Sequence, residues 1–211
     1  MFWLCPPTLL PPLLLASASP RRADLLRRAG LSFSVAAPDI DEAILPGEDP
    51  PSHVERLARE KGEALRESWP GHVILSADTV VVLDGRILGK PRDTAEAESM
   101  LADLSGRWHV VYTGWALAGT GLACRVGHEQ TRVLFHSLDA GQIAAYVATG
   151  EPMDKAGAYG IQDGGSLLVK ALEGDYFTVM GLPVAIVCRE LAELAREFSV
   201  SDKLRDRVRH F

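Results

Sequence analysis

The stretch Leu13-Leu14-Leu15-Ala16-Ser17-Ala18-Ser19-Pro20-Arg21-Arg22 admits two incompatible readings. Small residues Ala16-Ser17-Ala18 behind an apolar start look like a signal-peptide cleavage site. Alternatively, Leu13–Ala16 is a buried strand and Ser17–Arg22 is a turn that enters a helix and grips an anion. A signal segment opens with positive charge, yet residues 1–12 hold no Lys or Arg and are interrupted by Pro6, Pro7, Pro11 and Pro12. The strand reading is therefore preferred, with 1–12 as a loose extension. Ser19 then stands at a helix N-cap and Pro20 at the first helical position, and Gly30 ends the helix.

Working outward, Leu31–Ala37 alternates like a second strand and leads into the acidic turn Asp39-Ile40-Asp41-Glu42. Val54, Leu57, Ala58, Lys61 and Leu65 share one face of a helix over 51–68, with Lys61 inside the apolar stripe. Val73-Ile74-Leu75 reads as a short strand that ends at Ser76-Ala77-Asp78-Thr79. Val80–Leu83 and Arg86–Leu88 flank Asp84-Gly85, a hairpin signal. Thr94 is expected to cap a helix ending near Gly106, followed by long strands over Trp108–Leu117 and Arg125–Leu138. Asp139 with Gln142 resembles a capping box, for a helix closed by Gly150. A glycine-rich loop over 157–165 precedes strands near 166–172 and 176–180, and Pro183 opens a final helix. This order predicts an α/β fold, a mixed central sheet flanked by helices. One domain over 13–198 and a C-terminal tail over 199–211 complete the division.

Composition narrows the function. The 211 residues are 47% hydrophobic and 24% charged, as in an ordinary globular protein. A net charge of −6 argues against broad nucleic-acid binding, so an anion site must be a local cluster of Arg and Lys. No apolar run reaches the roughly 18 residues of a membrane span. Cys5, Cys124 and Cys188 show no metal or disulfide spacing, which suits reduced thiols and a cytoplasmic setting.

Ser17, Arg21 and Arg22 crowd one helix start. Two arginines there oppose the helix dipole, which suggests a bound anion, although a plain cap with solvated arginines is the blander reading. Asp78 follows an apolar strand, where a carboxylate can bind metal or accept a proton, or merely brace a turn. Lys61 could snorkel to water. Lys90, in Gly89-Lys90-Pro91, could be a solvated loop residue, and Glu42 could ligate a metal or decorate its turn. Gln162 could read a base edge or cap a turn, and His109 reads as structural. Taken together these groups suit a nucleotide polyphosphate with a divalent cation. The phosphate loop, the dinucleotide turn and the nucleophile elbow are all missing from the sequence.

The ordered set SASPRR (17–22), ERLAREK (55–61), SADTVV (76–81), LGKP (88–91), LSGRWHVVYTG (104–114) and EPMDKAGAYGIQ (151–162) resembles the Maf family of nucleoside triphosphate pyrophosphatases. The resemblance implies a deep nucleotide-binding cleft of the inosine-triphosphatase-like kind. It also implies hydrolysis of a triphosphate to the monophosphate and pyrophosphate with a divalent metal, Mg2+ or Mn2+. By the same resemblance Asp78 is the proton acceptor and, with Glu42, a metal ligand. Ser17, Arg21, Arg22, Lys61 and Lys90 bind phosphate, and Arg21, Thr79 and Gln162 set specificity. Asp78-Thr79 looks like the branch acting on dTTP and UTP; Asp-Gln marks the branch for 7-methyl-GTP. Other readings are a pyrophosphatase of 7-methyl-GTP or non-standard nucleotides, and a septum-formation regulator working through a partner. A homodimer is compatible with the family. The loop departs from the family pattern at Asp163-Gly164-Gly165, where Gly-Leu-Gly is more usual.

Overall fold

One strand, β3 (Val73–Leu83), organises the molecule. The computed structural model describes the backbone of residues 10–208 and the side chains of residues 10–199. Residues 1–9 of the expected N-terminal extension and 209–211 of the expected tail lie outside the described residues. The first part of β3 runs parallel to β1 (Leu13–Ala16), with Leu13 opposite Val73 and Ala16 opposite Ser76. β1 then stops, and β3 continues to Leu83 against β4 (Arg86–Leu88) and β5 (Trp108–Gly119), both antiparallel. β2 (Phe33–Ala36) pairs parallel to the other edge of β1, while β6 (Arg125–Phe135) and β7 (Val169–Glu173) extend the sheet beyond β5. The order is β2-β1-β3-β5-β6-β7, with β4 on β3.

Parallel neighbours need crossover connections, and helices supply them. α1 (Pro20–Arg28) links β1 to β2, and α2 (Pro50–Ala64) links β2 to β3. α3 (Thr94–Leu104) and α4 (Ala140–Ala148) follow β4 and β6, and α5 (Tyr176–Met180) and α6 (Val184–Val208) close the chain. No described helix is long and apolar enough to cross a membrane. Residues Val73–Asp78 are buried because both faces of β3 are covered. Leu15, Leu75 and Leu117 pack with Leu26 of α1 and Leu191 of α6 in one core cluster. Phe135, Val133, Leu101 and Leu104 form another beneath α3 and α4. α2 lies hard against β5 at Gly114, where a Cβ would come within 2.2 Å of the Val54 carbonyl oxygen.

The mixed α/β sheet agrees with the expected class, and several local expectations change. Val73–Leu75 and Val80–Leu83 are one strand, because β5 pairs straight across the polar residues 76–79 and supplies their backbone bonds. Residues 176–180 form a helix: the Asp175 carboxylate accepts from Thr178 N, and Gly181 at φ 105° ends it. Asp93, not Thr94, caps α3, by accepting from Glu96 N. The Asp139–Gln142 capping box is present in both directions. Ser19 holds the N-cap position of α1 without a side-chain capping bond. The glycine-rich loop is built of short 3-10 turns at Glu151–Asp154, Ala156–Ala158 and Asp163–Leu168.

Candidate active site

Because β1 ends at Ala16 while β3 runs on, a cleft of about 590 Å³ opens beyond the carboxyl end of β1. Ser17, Arg21, Arg22, Glu42, Lys61, Asp78, Thr79, Lys90 and Gln162 all line it, drawn from six separate stretches of chain. Asp78 is not in a turn after a strand; it sits within β3, two residues past the level at which β1 stops. The pleat sends Asp78 and Thr79 to opposite faces, which gives the cleft two unlike walls.

The Asp78 wall is ionic. Lys61, in the last turn of α2, is buried and does not snorkel to water. Its Nζ donates to Asp78 Oδ1 at 2.7 Å and lies 2.6 Å from Glu42 Oε1. Ser76 Oγ, on the same face as Asp78, donates to the Ala58 carbonyl at 2.6 Å and ties β3 to α2 one helical turn before Lys61. Partial burial pushes the Glu42 carboxyl up, but the bond and charge of Lys61, with Lys90 and Arg22 behind it, hold it below its ordinary value. Lys90 is exposed on the cleft rim, and the preceding Gly89 carbonyl accepts from Gly157 N at 3.0 Å.

On the Thr79 wall hydrogen bonds replace ion pairs. Arg22 donates through Nε to the Gly181 carbonyl (2.7 Å), through Nη1 to Ser17 Oγ (3.1 Å) and through Nη2 to Thr79 Oγ1 (3.1 Å). Burial pulls the Arg22 pKa down, and the Asp78 charge opposes that shift. Ser17 Oγ also accepts from Ser19 N at 3.2 Å, so both its lone pairs are engaged and its proton is left for the cleft. Around these groups the surface is apolar, with Val81, Val111, Ile161 and Met180 lining it.

Sequence reasoning missed the groups that hold the far rim. Arg21 Nη1 donates to Asp154 Oδ2 at 3.1 Å, and Asp154 Oδ1 accepts from Lys155 Nζ at 2.7 Å. Lys155 is buried and its Nζ also donates to the Glu151 carbonyl. The Glu151 carboxylate accepts from Tyr146 Oη (2.8 Å) and from Gly164 N and Gly165 N (3.2 Å each). Gly164, which departs from the family pattern, and Gly165, which keeps it, therefore present two backbone donors to one carboxylate. At Gly165 a Cβ would meet the Gly160 carbonyl oxygen at 2.0 Å, so a side chain has no room there. The signal in the sequence was the motif EPMDKAGAYGIQ (151–162), which holds Glu151, Asp154 and Lys155 but gives none of them a role.

His109 is structural, as expected. It is buried, its Nε2 lies 2.8 Å from Tyr159 Oη, and burial pushes its pKa down to about 4. Its ring meets Phe135 edge-on.

As a metal site, the cleft offers Glu42 and Asp78, both ion-paired to Lys61. No group of three or more His, Cys, Asp or Glu among the described residues could hold a metal by itself. Such a donor set fits Mg2+, which takes one or two carboxylates and completes its shell with phosphate oxygens and water.

A family model described as "Maf-like protein" matches residues 12–194. The chain belongs to the Maf-like family. Its Maf-like relatives include a protein of Symbiobacterium thermophilum named dTTP/UTP pyrophosphatase, 53% identical over 172 residues, covering 82% of this chain and 88% of that protein. Another, of the same name, from Moorella thermoacetica is 51% identical over 181 residues, covering 85% and 93%. Among solved structures, a HAM1 protein from Coxiella burnetii aligns with a TM-score of 0.49 at 17% identity, covering 87% of this chain and 100% of that one, a likeness too loose to add to the fold assignment.

Proposed function

We propose that the cleft hydrolyses dTTP and UTP to the nucleoside monophosphate and pyrophosphate. The observation that carries the reading is the Glu42–Lys61–Asp78 cluster, in which a buried ammonium pairs with two carboxylates in a cleft that also presents Arg21, Arg22 and Lys90. The names of the two relatives support the choice of nucleotides.

In this mechanism the triphosphate lies against the ionic wall, where Lys61 and Lys90 offset its charge, and Arg21 and Arg22 add positive charge from other parts of the cleft lining. The Ser17 hydroxyl donates to a phosphate oxygen. Asp78 Oδ1 is held by Lys61, which leaves Oδ2 to take the proton of the attacking water. The water oxygen bonds to the α-phosphorus as the bond to the bridging oxygen breaks, and pyrophosphate leaves with that oxygen. A divalent cation held by Glu42 and Asp78 would lower the negative charge of the phosphate tail. The base rests on the apolar wall, near Thr79 and Gln162.

Purified protein incubated with Mg2+ or Mn2+ and a panel of dTTP, UTP, CTP, GTP and 7-methyl-GTP tests this. Equimolar monophosphate and pyrophosphate from dTTP and UTP is the expected result. Release of orthophosphate, or turnover of 7-methyl-GTP alone, would overturn it.

A further inference from the structure

Thr113 lies opposite Thr79 in the β3–β5 ladder, is fully buried, and does not line the cleft. Its Oγ1 is 2.7 Å from the Thr178 carbonyl oxygen and 2.9 Å from Thr79 Oγ1. A carbonyl oxygen only accepts, so the single Thr113 proton belongs to Thr178. The Thr79–Thr113 bond must then be donated by Thr79. Arg22 Nη2 donates to Thr79 Oγ1 from the other side. Donation therefore runs one way, from Arg22 to Thr79 to Thr113 to the Thr178 carbonyl. Thr79 has no proton left for the cleft and keeps one free lone pair.

We propose that Thr113 is a positioning residue for specificity: it fixes Thr79 as a hydrogen-bond acceptor, so the cleft favours a pyrimidine whose ring nitrogen carries a proton. The inference rests on the pyrimidine-triphosphate reading above and deepens it. Uracil and thymine present N3–H, whereas cytosine presents an N3 lone pair. Thr79 belongs to the apolar wall with Val81 and Val111, where a flat ring is shielded from water. An acceptor facing an acceptor in such a place leaves both without a donor, and desolvation makes that mismatch costly. Arg22 sets both hydroxyls of this wall: it helps to fill the lone pairs of Ser17, freeing that proton for an anion, and it occupies Thr79 as an acceptor.

The test is the ratio of kcat/KM for UTP over CTP in the wild type, Thr113→Val and Thr113→Ser. Valine removes the acceptor, which frees the Thr79 proton to meet a cytosine N3. The ratio should fall by about tenfold or more in Thr113→Val, in keeping with the loss of one buried hydrogen-bond match, and Thr113→Ser should restore it. Thermal stability should also drop in the valine variant, since the Thr178 carbonyl loses its donor. A lowered Tm with an unchanged ratio would reduce Thr113 to a purely structural role and overturn the proposal, as would a serine variant that fails to restore discrimination. Should the valine variant not fold, Thr113→Ala removes the same acceptor and is read the same way. If the wild type cleaves neither nucleotide, the functional reading falls separately. Dissociation constants for UMP and CMP across the same proteins then carry the test, and equal UMP/CMP ratios overturn the proposal.

Discussion

Asp78 and Thr79 are adjacent on one strand, yet they belong to walls built on different physics. The Asp78 wall gathers formal charges from distant segments and binds them through Lys61, which is buried between two carboxylates. On the Thr79 wall, Arg22 is the one charge, and neutral hydroxyls and carbonyls take up its donors. Buried charges are arranged at large desolvation cost and suit a reaction in which charge shifts. Directed neutral hydrogen bonds discriminate between groups of similar shape. Changes on the ionic wall should therefore lower the rate, and changes on the other should alter the choice of nucleotide.

The largest effect expected is that of Asp78→Asn. Loss of the proton acceptor should lower kcat for UTP by about 10²–10⁴-fold, with KM changed little. Steady-state kinetics alongside thermal melting check it, and normal turnover in a folded variant would remove Asp78 from the mechanism. Lys61→Met comes next, at on the order of 10²-fold in kcat, because it leaves Asp78 and Glu42 without their shared cation. This change also carries a pH signature. Lys61 is the chief force holding the Glu42 carboxyl below its ordinary value, so its removal should let that pKa rise. Glu42 would then begin to protonate at higher pH, and the acidic limb of the pH–rate profile should move upward. A limb that stays in place would show that Glu42 takes no part in the rate.

Asp154→Asn should act more gently, because Arg21 is only partly buried and Asp154 is exposed. The variant frees Arg21 from its carboxylate partner. KM for dTTP and UTP should change by a few-fold, with kcat nearly constant, since exposed ion pairs are weak. A large fall in kcat would place Arg21 with the ionic wall and blur the contrast between the two.

The two walls were also unequally legible in the sequence. Lys61 carries formal charge inside an apolar helical stripe and Asp78 follows an apolar strand, so these two, with Glu42 in its acidic turn, drew attention once they were taken as a set of charged groups. What the sequence could not supply was the extent of β3. A polar run at 76–79 reads as a break, and only the pairing of β5 across it keeps the strand whole. The directional bonds of the Thr79 wall were hidden for a related reason. Thr113 is a buried threonine on a strand, and its effect depends on a cross-strand register and on the carbonyl of Thr178, which lies 65 positions away. Residues 176–180 look like a strand by composition, but the Asp175 cap and Gly181 make them a short helix, and that helix delivers the Thr178 and Gly181 carbonyls to the relay.

The smallest effect on turnover is expected at Glu48, which touches neither wall but anchors the loop that carries Glu42. Its carboxylate accepts from Arg56 Nε (2.6 Å), Arg56 Nη2 (2.8 Å) and Leu45 N (3.1 Å), and lies 2.8 Å from His53 Nδ1. Arg56 also donates to the Ala43 carbonyl, beside Glu42. The bond from Arg56 brings the Glu48 pKa from 4.5 down to about 2. A carboxyl depressed by folding adds stability that is complete above about pH 4.5 and disappears as the pH falls through about 2. Glu48→Gln keeps an acceptor but loses the charge, so Tm at neutral pH should fall by a few degrees. Between pH 4.5 and 2 the variant should lose stability less steeply than the wild type. Turnover at neutral pH should fall less than in Asp78→Asn or Lys61→Met. A loss of rate as large as theirs would mean that the loop's placement of Glu42 is itself part of the ionic wall, and the boundary of that wall would have to be drawn out to Arg56.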